Sequence, residues 1–111
     1  MLMECSEPYF SYIREGIKPV EGRKNKPEYR QIKPGDLIEF VSERKDSFRA
    51  VVSEVRKYDT LYAYLDDVGF KNAIPHAKNY EEAVLAYRPF KNSDDEIAKY
   101  AGFLGIFIKP I

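Results

Sequence analysis

The chain has one cysteine, one histidine and no tryptophan among its 111 residues. With Cys5 alone no internal disulfide forms, which fits a reducing, intracellular setting. No basic residue sits beside Cys5 in sequence, so it reads as a small buried strand residue rather than as a reactive thiol. One histidine and one cysteine do not make the usual zinc site, and no metal or other cofactor is expected. Long apolar runs are missing too. Phe103 to Ile108 is the longest and is far too short to cross a bilayer. The first ten residues lack the basic start and apolar run of a secretory leader, so the expected location is cytoplasmic, with no membrane partner. A charge surplus is also absent, because 18 basic and 18 acidic side chains cancel. Binding along extended duplex DNA, which needs a basic surplus to neutralise phosphates, is therefore not expected. A short single strand, an RNA loop or a nucleoside needs only a local patch. There is no glycine-rich phosphate loop and no G-x-S-x-G elbow.

What is present fits one small α+β domain over residues 1–111, with a hydrophobic fraction of 44% that suffices for a modest core. Leu2 to Cys5 reads as a strand. Ser6 offers an N-cap for a helix over residues 7–15, where Tyr9, Phe10 and Ile13 form the apolar stripe and Gly16 the stop. Val20 to Arg23 alternates with period two and predicts a strand with two different faces. Residues 24–34 read as an exposed loop. Asp36–Val41 and Phe48–Lys57 form a hairpin across SERKDS, with Val51, Ser53 and Val55 expected on one side. Thr60 or Asp59 caps a helix ended by Gly69, and residues 70–77 read as irregular. Asn79 with Glu82, and Ser93 with Glu96, are capping-box patterns for two further helices. Phe103–Lys109 is apolar on both faces and belongs in the interior of the sheet. This mixture predicts a small mixed or antiparallel β-barrel with surrounding short helices rather than a doubly wound sheet.

The chemistry concentrates in Lys18, Glu21 and Arg23. Glu21 and Arg23 are two apart and share one strand face, and Lys18 enters just before them. Opposite charges at a partly closed site keep one another ionised and present fixed donors and an acceptor. Such a trio serves to read a nucleobase edge, to hold a phosphate or to position a water. On spacing alone a solvated Glu21–Arg23 pair beside an exposed lysine is the competing description. His76 is the one side chain whose ordinary titration lies near neutrality, which makes it a candidate general base. Lys78 and Asn79 stand at a helix start, where backbone N–H groups attract anions, so this segment is expected to form the second wall of the cleft. The run Arg23, Lys24, Lys26, Arg30 reads as a solvated loop able to steer an anionic ligand. The nine tyrosines and seven phenylalanines serve either to stack on bases or to fill a small core.

The stretch EPYFSYIREGIKPVEGR resembles the G-x-K-x-x-E-x-R signature of the ASCH family, which is related to the PUA domains. IKPGDLIEF, AVVSEVRKY, AIPHAKNYEEAVLAY and KYAGFLGIFIKPI resemble further segments of the same family in the same order, so the chain is similar to a small stand-alone ASCH domain. The resemblance implies a PUA-like β-barrel whose cleft, lined by Lys18, Glu21 and Arg23 and helped by Tyr9 and Lys78, meets RNA or a nucleotide-like ligand. One branch of the family is an amidohydrolase on N4-acetylated cytidine that uses a lysine, a threonine nucleophile and a glutamate. Lys18 matches that lysine, Glu21 stands at the threonine position and His76 stands near the glutamate region. Two of three positions depart, so the resemblance favours a binding module. The alternatives are an amidohydrolase on a modified nucleoside, with Lys18 as the polarising group and Glu21 or His76 as base, and a protein-interaction adaptor.

Overall fold

The computed structural model describes residues 1–111. Five strands, β1 (Leu2–Glu4), β2 (Val20–Lys24), β3 (Leu37–Val41), β4 (Ser47–Tyr58) and β5 (Phe103–Pro110), form one sheet in the order β1-β3-β4-β5-β2. Only the β1–β3 pairing is parallel. The sheet curls into a half-barrel whose free edges, β1 and β2, do not pair with each other. Around it lie short helices α1 (Tyr9–Arg14), α2 (Leu61–Val68), α3 (Phe70–Ala73), α4 (Tyr80–Tyr87) and α5 (Asp94–Lys99), with a 3-10 turn at Arg88–Phe90. No helix is long and apolar enough to cross a membrane.

Two apolar cores flank the sheet. The first packs Met3, Phe10, Ile13, Phe40, Val52 and Ile106 inside the curl. The second packs Val20, Phe103 and the buried faces of α2, α4 and α5, including Leu61, Tyr64, Leu65 and Ile97. This arrangement explains why β5 is apolar on both sides: Leu104, Ile106 and Ile108 serve the first core and Phe103 the second. Its place between β4 and β2 is the interior position that pattern requires.

The predicted caps form at three helices. The Thr60, Asn79 and Ser93 side chains each accept a bond from the backbone N–H three residues on, at 3.0, 2.9 and 3.3 Å. Gly16 and Gly69 take the left-handed backbone that ends α1 and α2. At α1 the expectation changes. Ser6 does not cap, the helix begins at Tyr9, and the Glu7 carboxylate instead accepts from the Ser11 N–H and Oγ–H. Residues 70–77, expected irregular, start with α3, because the turn at Gly69 lets its carbonyl accept from the Asn72 and Ala73 N–H groups.

Two more expectations fail for tertiary reasons. A register shift between Val52 and Glu54 breaks the alternation of β4, so Ala50 and Val52 face the first core with Val55 against it, and the stripe Val51, Ser53, Val55 does not form. The 24–34 segment is not a wholly exposed loop: Lys24 closes β2, Asn25 is buried with its N–H on the Gly102 carbonyl, and Ile32 joins the first core.

Gly22 of β2 pairs with Gly105 of β5, and the two leave a track without side chains across which Tyr64 lies. A Cβ at Gly22 would stand 2.7 Å from the Phe103 ring and 2.9 Å from the Tyr64 hydroxyl. Both rings are fully buried and have little freedom to retreat. Gly22→Ala is therefore expected to destabilise the protein by about 1–3 kcal/mol through overpacking, read as a lower urea midpoint. An unchanged midpoint would show that the rings shift freely.

Candidate functional site

The seam between the free edges of the half-barrel opens into a cavity of about 660 Å³. One wall is the end of β1 with Cys5 and Ser6, another is β2, a third is the turn between β3 and β4, and the last runs from Ile74 to the stretch Ala86–Asn92. Tyr9 of α1 packs against both cores and lines the cavity at their junction.

The period-two pattern of β2 puts Glu21 and Arg23 on the face that borders this space. Arg23 donates to Glu21 Oε2 from Nε at 3.0 Å and from Nη2 at 2.7 Å. It also donates from Nη1 to the Tyr29 hydroxyl at 3.2 Å and from Nη2 across the seam to the Glu4 carbonyl at 2.7 Å. Of the five guanidinium N–H groups, one on Nη1 is left for another partner. Burial draws Arg23 down, but the charge of Glu21 and the bonds to Glu21 and Tyr29 outweigh it, and the guanidinium is held above its ordinary value.

Lys18, from the segment leading into β2, is only 2% exposed. Its ammonium donates to the Ala73 carbonyl at the end of α3, lies 3.8 Å from Glu21 Oε1 and stands 5.7 Å from the centre of the Tyr9 ring. Burial lowers its proton affinity, and the Glu21 charge opposes this without cancelling it. Glu21 Oε2 is thus occupied by Arg23, whereas Oε1 has only the distant lysine. Beneath Gly22, the hydroxyls of Tyr64 and Tyr87 share one hydrogen bond at 2.9 Å. Two phenols have two protons and this bond uses one, so one buried O–H donor of the pair is left over, on whichever hydroxyl accepts; of the two rings Tyr87 lines the cavity.

The lining contains six cations, Lys18, Arg23, Lys24, Lys26, Lys45 and Lys91, against three carboxylates, Glu4, Glu21 and Glu43. Balanced charge over the whole chain therefore conceals a cationic hollow. Of the expected site residues, Lys18, Glu21, Arg23 and Tyr9 come together. His76 and Lys78 stand outside the lining, and both are exposed. His76 stacks on Tyr12 with ring centres 6.1 Å apart. At that helix start Glu82 accepts from the Lys78 N–H and Asn79 accepts from the Glu82 N–H, and neither Lys78 nor Asn79 lines the cavity. The second wall is built by Tyr87, Phe90, Lys91 and Asn92 instead. The basic run divides as well: Lys24 pairs with Glu96 at 3.4 Å, Arg30 donates to the Asn25 carbonyl, and only Arg23, Lys24 and Lys26 border the cavity.

Sequence reasoning missed Tyr29, Lys45, Tyr87, Phe90 and Lys91. Tyr80, Ala83, Val84 and Tyr87 recur at helical spacing, so of the five only Tyr87 carries a signal, and it points to the core.

The sequence matches the family model of the ASCH domain over residues 3–103. Among solved structures, the crystal structure of hypothetical protein PH0355 is similar to this chain, with a TM-score of 0.82, 36% identity and 100% of both chains covered. The solution NMR structure of protein PF0455 from Pyrococcus furiosus is similar with a TM-score of 0.73 and 31% identity, covering 100% of this chain and 98% of its own. No curated protein matches the sequence.

Two outcomes follow from the buried groups. Burial, then the Glu21 charge, pushes the Cys5 thiol up from 9.0 to about 12. At pH 8 the native thiol is expected to react with a disulfide reagent roughly a thousandfold more slowly than in unfolded protein, for lack of thiolate. Comparable rates would place the thiol in solvent. Lys18 makes stability depend on pH. Between its lowered folded value and the ordinary 10.5, the unfolded chain binds more protons, so stability from this group rises as pH approaches 10.5. Wild type should gain stability relative to Lys18→Met on raising the pH within that window. A pH-independent difference in urea titrations would overturn this assignment.

Proposed function

Because the chain belongs to the ASCH domain family, we propose that it is a nucleic-acid-component binding module, holding a nucleoside, a nucleotide or a short single-stranded RNA segment in the seam cavity. The observation that carries this reading is the cationic, aromatic-lined hollow in a chain of zero net charge. Its volume is that of a small-ligand site and is too small for a duplex. The polar groups still free at its floor, Glu21 Oε1, two Lys18 protons and one Arg23 N–H, are both acceptors and donors, as a nucleobase edge requires. Tyr9, Tyr29 and Phe90 supply faces on which a base or a ribose packs.

Titration of the protein with ribonucleosides, nucleotides and short RNA oligonucleotides tests the reading. Saturable binding is expected, weakened at least about tenfold in Arg23→Ala. Because Arg23 also spans the seam, Tyr87→Phe, which keeps the ring, serves as the second variant and should weaken binding by several-fold. Absence of binding by wild type, or full affinity in both variants, would reject the reading.

A second reading, hydrolysis of an acylated nucleoside, draws support from one pair of neighbours. Lys18, with its proton affinity lowered by burial, stands 3.8 Å from a carboxylate oxygen that Arg23 leaves free. In this scheme Glu21 takes a proton from water, the water oxygen bonds to the acyl carbon, and Lys18 protonates the departing amine. His76, outside the cavity, takes no part. Incubation with N4-acetylcytidine decides the matter: release of cytidine and acetate, abolished in Glu21→Gln, supports hydrolysis, and inert wild-type protein removes it.

A further inference from the structure

The cavity sorts its cations by depth. Each inner cation is within 4.0 Å of a carboxylate: Lys18 and Arg23 of Glu21, and Lys24 of Glu96. The floor also contains the Glu21 carboxylate, itself 7% exposed, which repels a second anion where the local dielectric is low. At the floor a phosphate therefore competes with Glu21 for cations that are already paired. The mouth is different. Lys45, on the turn between β3 and β4, and Lys91, just after the 3-10 turn, are exposed, line the same cavity and have no carboxylate partner. Lys26, the sixth lining cation, is half-buried and also lacks a carboxylate, but its amine stands over the Tyr100 ring, 5.8 Å from its centre.

The backbone at Lys45 and Lys91 is unusual. Their φ angles are 69° and 59°, in the left-handed region, where a side chain is strained and glycine or asparagine fits better. The chain contains only one other non-glycine residue of this kind, Ala101. Each turn is closed by the lysine's own N–H, which donates to the Ser42 carbonyl at 3.0 Å and to the Arg88 carbonyl at 3.1 Å. Conformation alone argues against lysine at both sites, so the amines are what these positions supply. Beside Lys91, Phe90 is 56% exposed and offers an apolar face to whatever enters.

We propose that the ligand enters base-first and carries a phosphate that Lys45 and Lys91 hold between them at the mouth, so the site is one for nucleoside phosphates rather than free nucleosides. This rests on the binding reading above.

The test measures affinities for the four ribonucleosides, their 5′- and 3′-monophosphates and inorganic phosphate. The best-bound base is expected to bind at least tenfold tighter as a monophosphate than as the nucleoside, and inorganic phosphate should bind more weakly than either. In the double variant Lys45→Gly/Lys91→Gly, which suits the left-handed backbone and should therefore fold, the ratio of monophosphate to nucleoside affinity should fall toward one. Equal affinities in wild type, or a ratio that survives the double variant, would overturn the phosphate site while leaving the binding reading intact. Binding of no nucleoside or nucleotide would overturn both.

Discussion

The Arg23 guanidinium holds together what the sheet leaves apart. A half-barrel of five strands has two free edges, and here no backbone ladder joins β1 to β2. One side chain reaches from β2 to the Glu4 carbonyl of β1 while its other N–H groups are fixed by Glu21 and Tyr29. A planar, permanently charged fork is suited to this, since a lysine has neither the geometry nor the reach to bind three partners at set angles. The price in free energy is the desolvation of a carboxylate and two cations, and the mutual attraction of such groups seldom exceeds that cost by much. The pair is therefore best understood as fixing the width of an opening, and the two apolar cores supply the stability.

That division of labour explains where the cavity lies. The cores are separate because β5 faces both, and Tyr9 is the side chain that touches each. Between them, at the open edge of the sheet, polar groups are the only way to fill the space without closing it. Lys18 is buried with its ammonium on a helix-end carbonyl, the kind of cation placement that helix ends favour. Its lowered proton affinity shows that this environment does not fully compensate its charge. Groups held at such a cost, with hydrogen-bonding capacity unspent, are poor contributors to folding and well suited to a ligand. Likeness of fold does not by itself carry an activity, so the reading stands on the cavity's own chemistry.

Local signals located most elements because they depend on few residues. The side-chain caps at Thr60, Asn79 and Ser93, the left-handed stops at Gly16 and Gly69, and the double-faced apolar run of β5 follow from propensity and period, and each is found. The failures divide by cause. The short helix at Phe70 follows from the local turn at Gly69, whereas the bulge near Val52 and the burial of Asn25 and Ile32 depend on what lies opposite, which a local pattern does not contain. The site divides in the same way. Lys18, Glu21 and Arg23 were legible because they lie within six residues on one strand and its approach. His76 and Lys78 lie near a helix start and so read as the second wall, whereas the chain turns a later segment to that place.

By itself the sequence determined the elements, the α+β class and the charged face of β2, because capping, periodicity and side-chain alternation act over a few residues. Only the tertiary structure decided that the sheet stays open between β1 and β2, that Arg23 spans the gap, and that lysines from two distant turns border one mouth. The reason is that edge pairing, desolvation and charge proximity depend on distances through space, and residues 46 positions apart in sequence, as Lys45 and Lys91 are, have no such distance until the chain has folded.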